Sequence, residues 1–218
     1  DIHEISLSWD PKLLQEENFE NIISPSRKNF KIKDLKKLKE LRSQDFNLEN
    51  FIRQELNFTG RITSHLHHLC HLASCYYPSG FNDALIICHD AVGEIDCSLM
   101  ATASKGNISI FHRGNQWPNS LGLLYAAITD YLGWKYNSDE GIVMGLAPYG
   151  DDTQFIKSGE KTYREIFKEI IFPDEFNYEI DRTWIAFHQV RSKWVSDKFV
   201  NTFGPKREFD GPIEDYHK

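Results

Sequence analysis

The chain has 218 residues, enough for one large domain or two small ones around a sizeable core. Hydrophobic residues make up 40% and charged residues 26%, which excludes a disordered or fibrous composition. A formal charge of −7 argues against a general nucleic-acid binder, and no apolar run is long enough to cross a bilayer, so no membrane partner is expected.

Residues 4–9 (Glu-Ile-Ser-Leu-Ser-Trp) alternate polar and apolar, the pattern of a half-buried strand that Asp10-Pro11 ends. The first residue is Asp rather than Met, so the chain reads as a piece of something longer. From Lys31 to Leu56 a charged helical segment follows, with a new helix start at Asn47 and a leucine stripe at Leu35, Leu38 and Leu41. Its basic run is read as a solvated face. A helix over Ser64–Tyr76 is ended by Tyr77-Pro78-Ser79-Gly80.

Three strands are expected next, Ala84–His89, Ile95–Ala103 and Asn107–His112, joined by short hairpin links at Ala91–Glu94 and Ser104–Gly106. Such a meander gives an antiparallel run of sheet with helices packed against it. Leu121–Leu132 is an apolar helix capped by Asn119 or Ser120, and Gly141–Gly150 reads as a glycine-bounded turn from helix to loop. Beyond Gly150 the chain is more charged and aromatic, with helices over Glu160–Ile170 and Thr183–Phe203 and a short strand near 176–181. Cys70, Cys75, Cys88 and Cys97 lack a CxxC spacing and read as reduced thiols of a cytoplasmic protein.

Four of the nine histidines fall within His65–His71. His67 and His71 are four apart and so share one helix face, the simplest two-point divalent metal site a helix offers; a polar face of solvated imidazoles is the alternative. Asp90 and Glu94 flank Gly93 at the first strand connection, where free backbone N–H groups could hold a phosphate or its metal, or where the residues simply make an acidic turn. Tyr76, Tyr77 and Trp117 lie beside these positions and are read as packing. Glu160, Glu165 and Glu169 are read as a solvated helix face.

Four blocks in this order resemble the nodulation-type O-carbamoyltransferases. His67-His-Leu-Cys-His71-Leu-Ala-Ser-Cys-Tyr-Tyr-Pro-Ser-Gly-Phe resembles their HHxxHAASAYYPSGF block, and Asp90-Ala-Val-Gly-Glu94 their DGxGE turn. Asn119–Tyr125 and Asn137–Gly150 resemble their NSLGLLY and VMGLAPYG blocks. The resemblance covers about residues 64–150, with 151–218 as a helical, charged extension of the same transferase domain.

The resemblance implies an α/β fold, a segment of an actin-like ATPase (ribonuclease H-like) lobe with a mixed sheet, and kinship with the tRNA threonylcarbamoyl transferases. It implies that a separate adenylate-forming domain, in the same or a partner chain, makes carbamoyl adenylate from carbamoyl phosphate and ATP. The lobe resembled here then carbamoylates a hydroxyl of a small natural product or sugar. By position, His67 and His71 would be ligands of a divalent metal, usually iron in this family, and Asp90, Gly93 and Glu94 would face the carbamoyl adenylate. The chain departs from the pattern at Ala91, where glycine is usual, at Ile142, where lysine is frequent, and at Leu72 and Cys75, which replace alanines. The family's later metal-site aspartate has no counterpart here, so the segment alone is expected to be inactive. A tRNA acceptor and a non-catalytic actin-like lobe for nucleotide binding or assembly are the alternatives.

Overall fold

The computed structural model describes residues 2–10, 32–41, 48–157, 159–190 and 192–218. These fall into two compact units, residues 1–120 and 121–218, so the boundary lies within the 64–150 block. Pro11, Lys31, Asn47 and the Leu35 side chain, all used above, lie outside the described residues.

In the first unit, strand β1 (Glu4–Leu7) pairs in parallel with β2 (Arg61–Ser64), Ile5 opposite Ile62. A parallel pair needs a crossover, and the intervening stretch contains helices α1 (Ile32–Leu41) and α2 (Leu48–Glu55). Of the leucine stripe, Leu38 is buried and Leu41 half-buried, and Ile52 of α2 is buried as well. The expected helix from Ser64 is corrected here. Residues 61–64 form β2 beside β1, and helix α3 begins only at His67 (His67–Tyr76).

Strands β3 (Asp83–His89), β4 (Ser98–Ser104) and β5 (Asn107–Arg113) form the expected antiparallel meander, order β3-β4-β5. The β4–β5 link is a two-residue turn in which Lys105 (φ 49°) and Gly106 (φ 83°) are both left-handed, the conformation that fits the twist of paired strands. The β3–β4 link is not a tight hairpin. Eight residues, Asp90–Cys97, form a loop closed by the Asp90 N–H to Cys97 carbonyl bond (2.9 Å), and the strand expected from Ile95 starts at Ser98. Helix α3 covers the meander through Leu72 and Tyr76, packed with Ile86, Leu99, Ala101 and Ala103. Alanines opposite the helix let the two layers approach closely. Parallel and antiparallel pairings both occur, but among the described residues they form separate ladders rather than one mixed sheet.

In the second unit, α4 (Leu121–Tyr131), α5 (Glu140–Leu146), α6 (Tyr163–Ile170) and α7 (Asp197–Phe203) accompany a hairpin of β6 (Ile171–Asp174) and β7 (Asn177–Ile180). Helix α6 starts at Tyr163 rather than Glu160, because Thr162 and Glu165 form a reciprocal capping box. The helix expected over Thr183–Phe203 is reduced to α7. Trp184, Ile185, Ala186 and Phe187 are buried consecutively and Ile185 bridges to Val195, a pattern no single helix face can produce. Among the described residues no helix is long and apolar enough to cross a membrane.

Candidate metal centre

The site forms where the start of α3 meets the end of β3. His67 and His71 lie on one face of α3, and Asp90 follows directly on β3, so the helix-on-sheet packing brings the carboxylate to both rings. His67 Nε2 lies 2.9 Å from Asp90 Oδ2, His71 Nε2 lies 3.3 Å from the same oxygen, and the two Nε2 atoms are 3.0 Å apart. Cis ligands of an octahedral ion with bonds near 2.1 Å stand about 3.0 Å apart, so the triangle has the dimensions of one face of such a site. Two histidines and one carboxylate are the donor set of non-haem iron centres with open positions.

The protonation of His67 sharpens this reading. Its Nδ1 is 3.0 Å from the Ser8 carbonyl, which can only accept, so Nδ1 carries a proton. In the neutral ring the Nε2 lone pair then points at a carboxylate. That contact is repulsive unless a second proton or a cation lies between them. In the metal-free chain the Asp90 carboxylate raises the His67 pKa above 6.5, through its hydrogen bond first and against the opposing effect of burial. The same hydrogen bond holds the Asp90 carboxyl well below the usual carboxylate range. A backbone carbonyl on the far nitrogen is also the usual outer partner of a metal-bound imidazole.

Glu94 is buried, and its carboxylate accepts from the His67 backbone N–H (3.1 Å) and the Asp10 N–H (2.8 Å). Helix α3 has Leu66 at its N-cap with no side-chain bond there, so Glu94 supplies the missing acceptor from across the loop. Gly93 lies in the same loop, against the rings at the start of α3. His68 is buried, 2% exposed, and burial pushes its pKa down to about 4, so it is neutral.

A cavity of about 280 Å³ adjoins the triangle, and its lining includes His71, Asp90, Leu72, Cys75, Ile86 and Cys88. All four cysteines are free thiols. The Tyr76 hydroxyl donates to the Asn82 carbonyl (2.9 Å) and accepts from the Gly106 N–H (3.1 Å), and Tyr77 donates to the Gly106 carbonyl (3.1 Å), so both brace the β4–β5 turn, while Trp117 is buried. Glu165 serves the α6 cap and Glu169 pairs with Lys161. Sequence reasoning placed Asp90 with the adenylate loop and missed its closeness to the histidines. The available signal was its position directly after a strand that packs under the histidine helix.

Residues 12–199 match the family model described as carbamoyltransferase N-terminus. An uncharacterised protein of Synechocystis sp. is 46% identical over 153 residues, covering 67% of this chain and 23% of the relative. The nodulation protein NolNO of Sinorhizobium fredii is 41% identical over 91 residues, 42% of this chain and 13% of that protein. The nodulation protein NolO of Bradyrhizobium diazoefficiens is 35% identical over 121 residues, 53% of this chain and 20% of that protein. The chain therefore spans less than a quarter of the length of these relatives.

Proposed function

The chain belongs to the carbamoyltransferase N-terminal domain family, and we propose from this that His67, His71 and Asp90 hold a divalent metal, iron by preference, at which a carbamoyl group passes to a hydroxyl. The donor would be carbamoyl adenylate, made from carbamoyl phosphate and ATP by an adenylate-forming domain of the whole protein. The acceptor would be a small natural product or sugar, and the lobe would be of the actin-like, ribonuclease H-like kind. The carrying observation is the triangle of donor atoms, with the one obligatory proton of His67 committed to the Ser8 carbonyl.

A bound cation would supply Lewis-acid polarisation of the carbamoyl carbonyl oxygen, stabilising negative charge as the hydroxyl attacks. The chain's own residues prepare that place. Ser8 fixes the His67 tautomer so that Nε2 faces the site. Asp90 supplies the negative charge, and Glu94 ties its loop to the first N–H of α3. No protein nucleophile is required, because a mixed anhydride is already activated and the demand is for positioning. Gly93, whose N–H is held by the Asp96 carbonyl (2.9 Å), would border the adenylate through its lack of a side chain.

Metal and proton compete for His67. Its raised pKa means that affinity falls as pH drops through a range above 6.5, and titration at pH 8 and pH 6 should show tighter binding at the higher value. The reaction itself is tested in the full-length polypeptide with radiolabelled carbamoyl phosphate, ATP and a panel of sugars and other small natural-product alcohols. Label transferred to an alcohol by wild type and lost in Asp90→Ala supports the assignment. Undiminished transfer in Asp90→Ala removes the site from the reaction.

A further inference from the structure

Gly93 is a glycine because of a neighbour, not because of its backbone. Its φ lies outside the left-handed region, so the residue needs no special conformational freedom. A Cβ at this position would stand 2.6 Å from His68 Nδ1, 2.9 Å from His68 Cε1 and 3.1 Å from His67 Cβ. The two distances to the His68 ring are shorter than real Cβ contacts and the third is tighter than most, and both neighbours sit on a packed helix, so neither can easily give way. The imidazole of His68 occupies the place a side chain at 93 would take.

His68 itself pays for that location in desolvation. Its ring is 2% exposed, and neither nitrogen has a hydrogen-bond partner. A buried imidazole with both nitrogens unsatisfied is worse than an apolar ring of the same size. The ring contributes position instead. It abuts His67 (centroids 5.5 Å apart, edge to face) and His71 (6.1 Å), and it contacts the loop whose first residue is Asp90. Two residues of that loop on either side of the contact are tethered: Asp90 to Cys97, and Glu94 to the N–H of His67.

We infer that His68 is a positioning residue, a flat post between α3 and Gly93 that sets the height of the Asp90–Cys97 loop and so the distance from Asp90 to His67 and His71. The inference rests on the metal reading above. It gives a steric account of why a second histidine follows the first ligand and why a glycine stands at 93. A wider ring or an added methyl lifts the loop; a missing ring lets it sink. Either displacement pulls the carboxylate out of the triangle, while His67 and His71, one turn apart on the helix, keep their spacing.

The test titrates Co²⁺ anaerobically into the 218-residue chain, reading affinity by calorimetry and coordination by the visible d–d spectrum, with melting curves of the metal-free proteins as the stability control. His68→Ala and Gly93→Ala should each weaken binding by about tenfold to a hundredfold, the range of outer partners of a metal site, and should lower the coordination signature in the spectrum. The pair His68→Ala/Gly93→Ala, in which the new methyl fills part of the vacated space, should recover affinity towards wild type. In an Asp90→Ala background, His68→Ala should cost nothing further beyond about twofold, because the post acts only through Asp90.

Equal losses with and without Asp90, or an affinity in His68→Ala within about twofold of wild type, overturn the inference and leave the metal reading intact. Wild-type protein that binds no Co²⁺ overturns the metal reading and this inference with it. Should His68→Ala fail to fold, Gly93→Ala, which keeps every imidazole, carries the test, and wild-type affinity and spectrum in that variant overturn the post.

Discussion

The two units bury different kinds of residue. Around α3 and the β3–β4 connection the interior holds His68, Glu94, Asp96, Ser98, Asn115, Gln116, Asn119 and Ser120. Asp96 accepts from Arg113 (2.8 Å) and from Gln116 (3.2 Å), and the Ser98 hydroxyl accepts from the Asn115 N–H (2.7 Å). In residues 121–218 the interior is mainly aromatic and aliphatic. Tyr131, Trp184, Phe199 and Phe203 pack ring against ring, while the ion pairs Arg164–Asp152 and Lys193–Asp197 stand in solvent. Buried polar groups stabilise only when satisfied, so a fold concentrates them where geometry must be exact for another reason. On the function proposed above, the first unit would carry the chemistry and the second would keep shape.

That contrast can be broken by mutation, and the largest effect belongs to the aromatic core. Phe199→Ala removes a ring that contacts Tyr131, Trp184 and Phe203, and should cost about 3–5 kcal/mol in denaturant melts. Metal affinity of the fraction still folded should stay unchanged.

The acid side of the stability curve comes next. His68 has its folded pKa lowered to about 4 from 6.5, so the unfolded chain binds the proton first as pH falls. Stability should therefore decline between pH 6.5 and 4, by roughly 3 kcal/mol at most, and His68→Phe should flatten that slope in urea melts. A slope equal to wild type would place the acid lability elsewhere.

Smaller effects sharpen the comparison from the other side. His71→Ala should weaken metal binding by at least about a hundredfold, beyond the range of outer partners, and shift the melting of the metal-free chain little, since His71 is half exposed. Thr162→Ala breaks the α6 capping box and should cost about 1 kcal/mol with no change at the metal. Lys161→Ala, whose partner Glu169 is equally exposed, should leave the melting midpoint where it is.

The parts legible in the sequence were those written in local patterns. The meander was readable because β3, β4 and β5 are seven-residue runs, and the Lys105-Gly106 turn marks one of its corners. His67 and His71 declared themselves by a four-residue spacing that needs only a helix. The β2 strand was hidden, because Arg61-Ile-Thr-Ser has one strongly apolar residue and its pairing with β1 is fixed by contacts more than fifty residues apart. The segment Trp184–Phe187 carries no periodic error to read; only its consecutive burial distinguishes it from a helix. Thr162-x-x-Glu165 was a readable cap that the charged run at Glu160 obscured. At the site, Asp90 and Glu94 looked equivalent as turn acids. Folding separates them, one carboxylate meeting two imidazoles and the other the backbone N–H groups of His67 and Asp10.

The most direct test is the metal content of the protein purified without chelators and reconstituted anaerobically with Fe²⁺, wild type beside Asp90→Ala, by elemental analysis after gel filtration. The account predicts about one ion per wild-type chain and a small fraction of that in the variant, with both proteins equally folded. Wild type that emerges metal-free, or a variant that retains the ion in full, would contradict it.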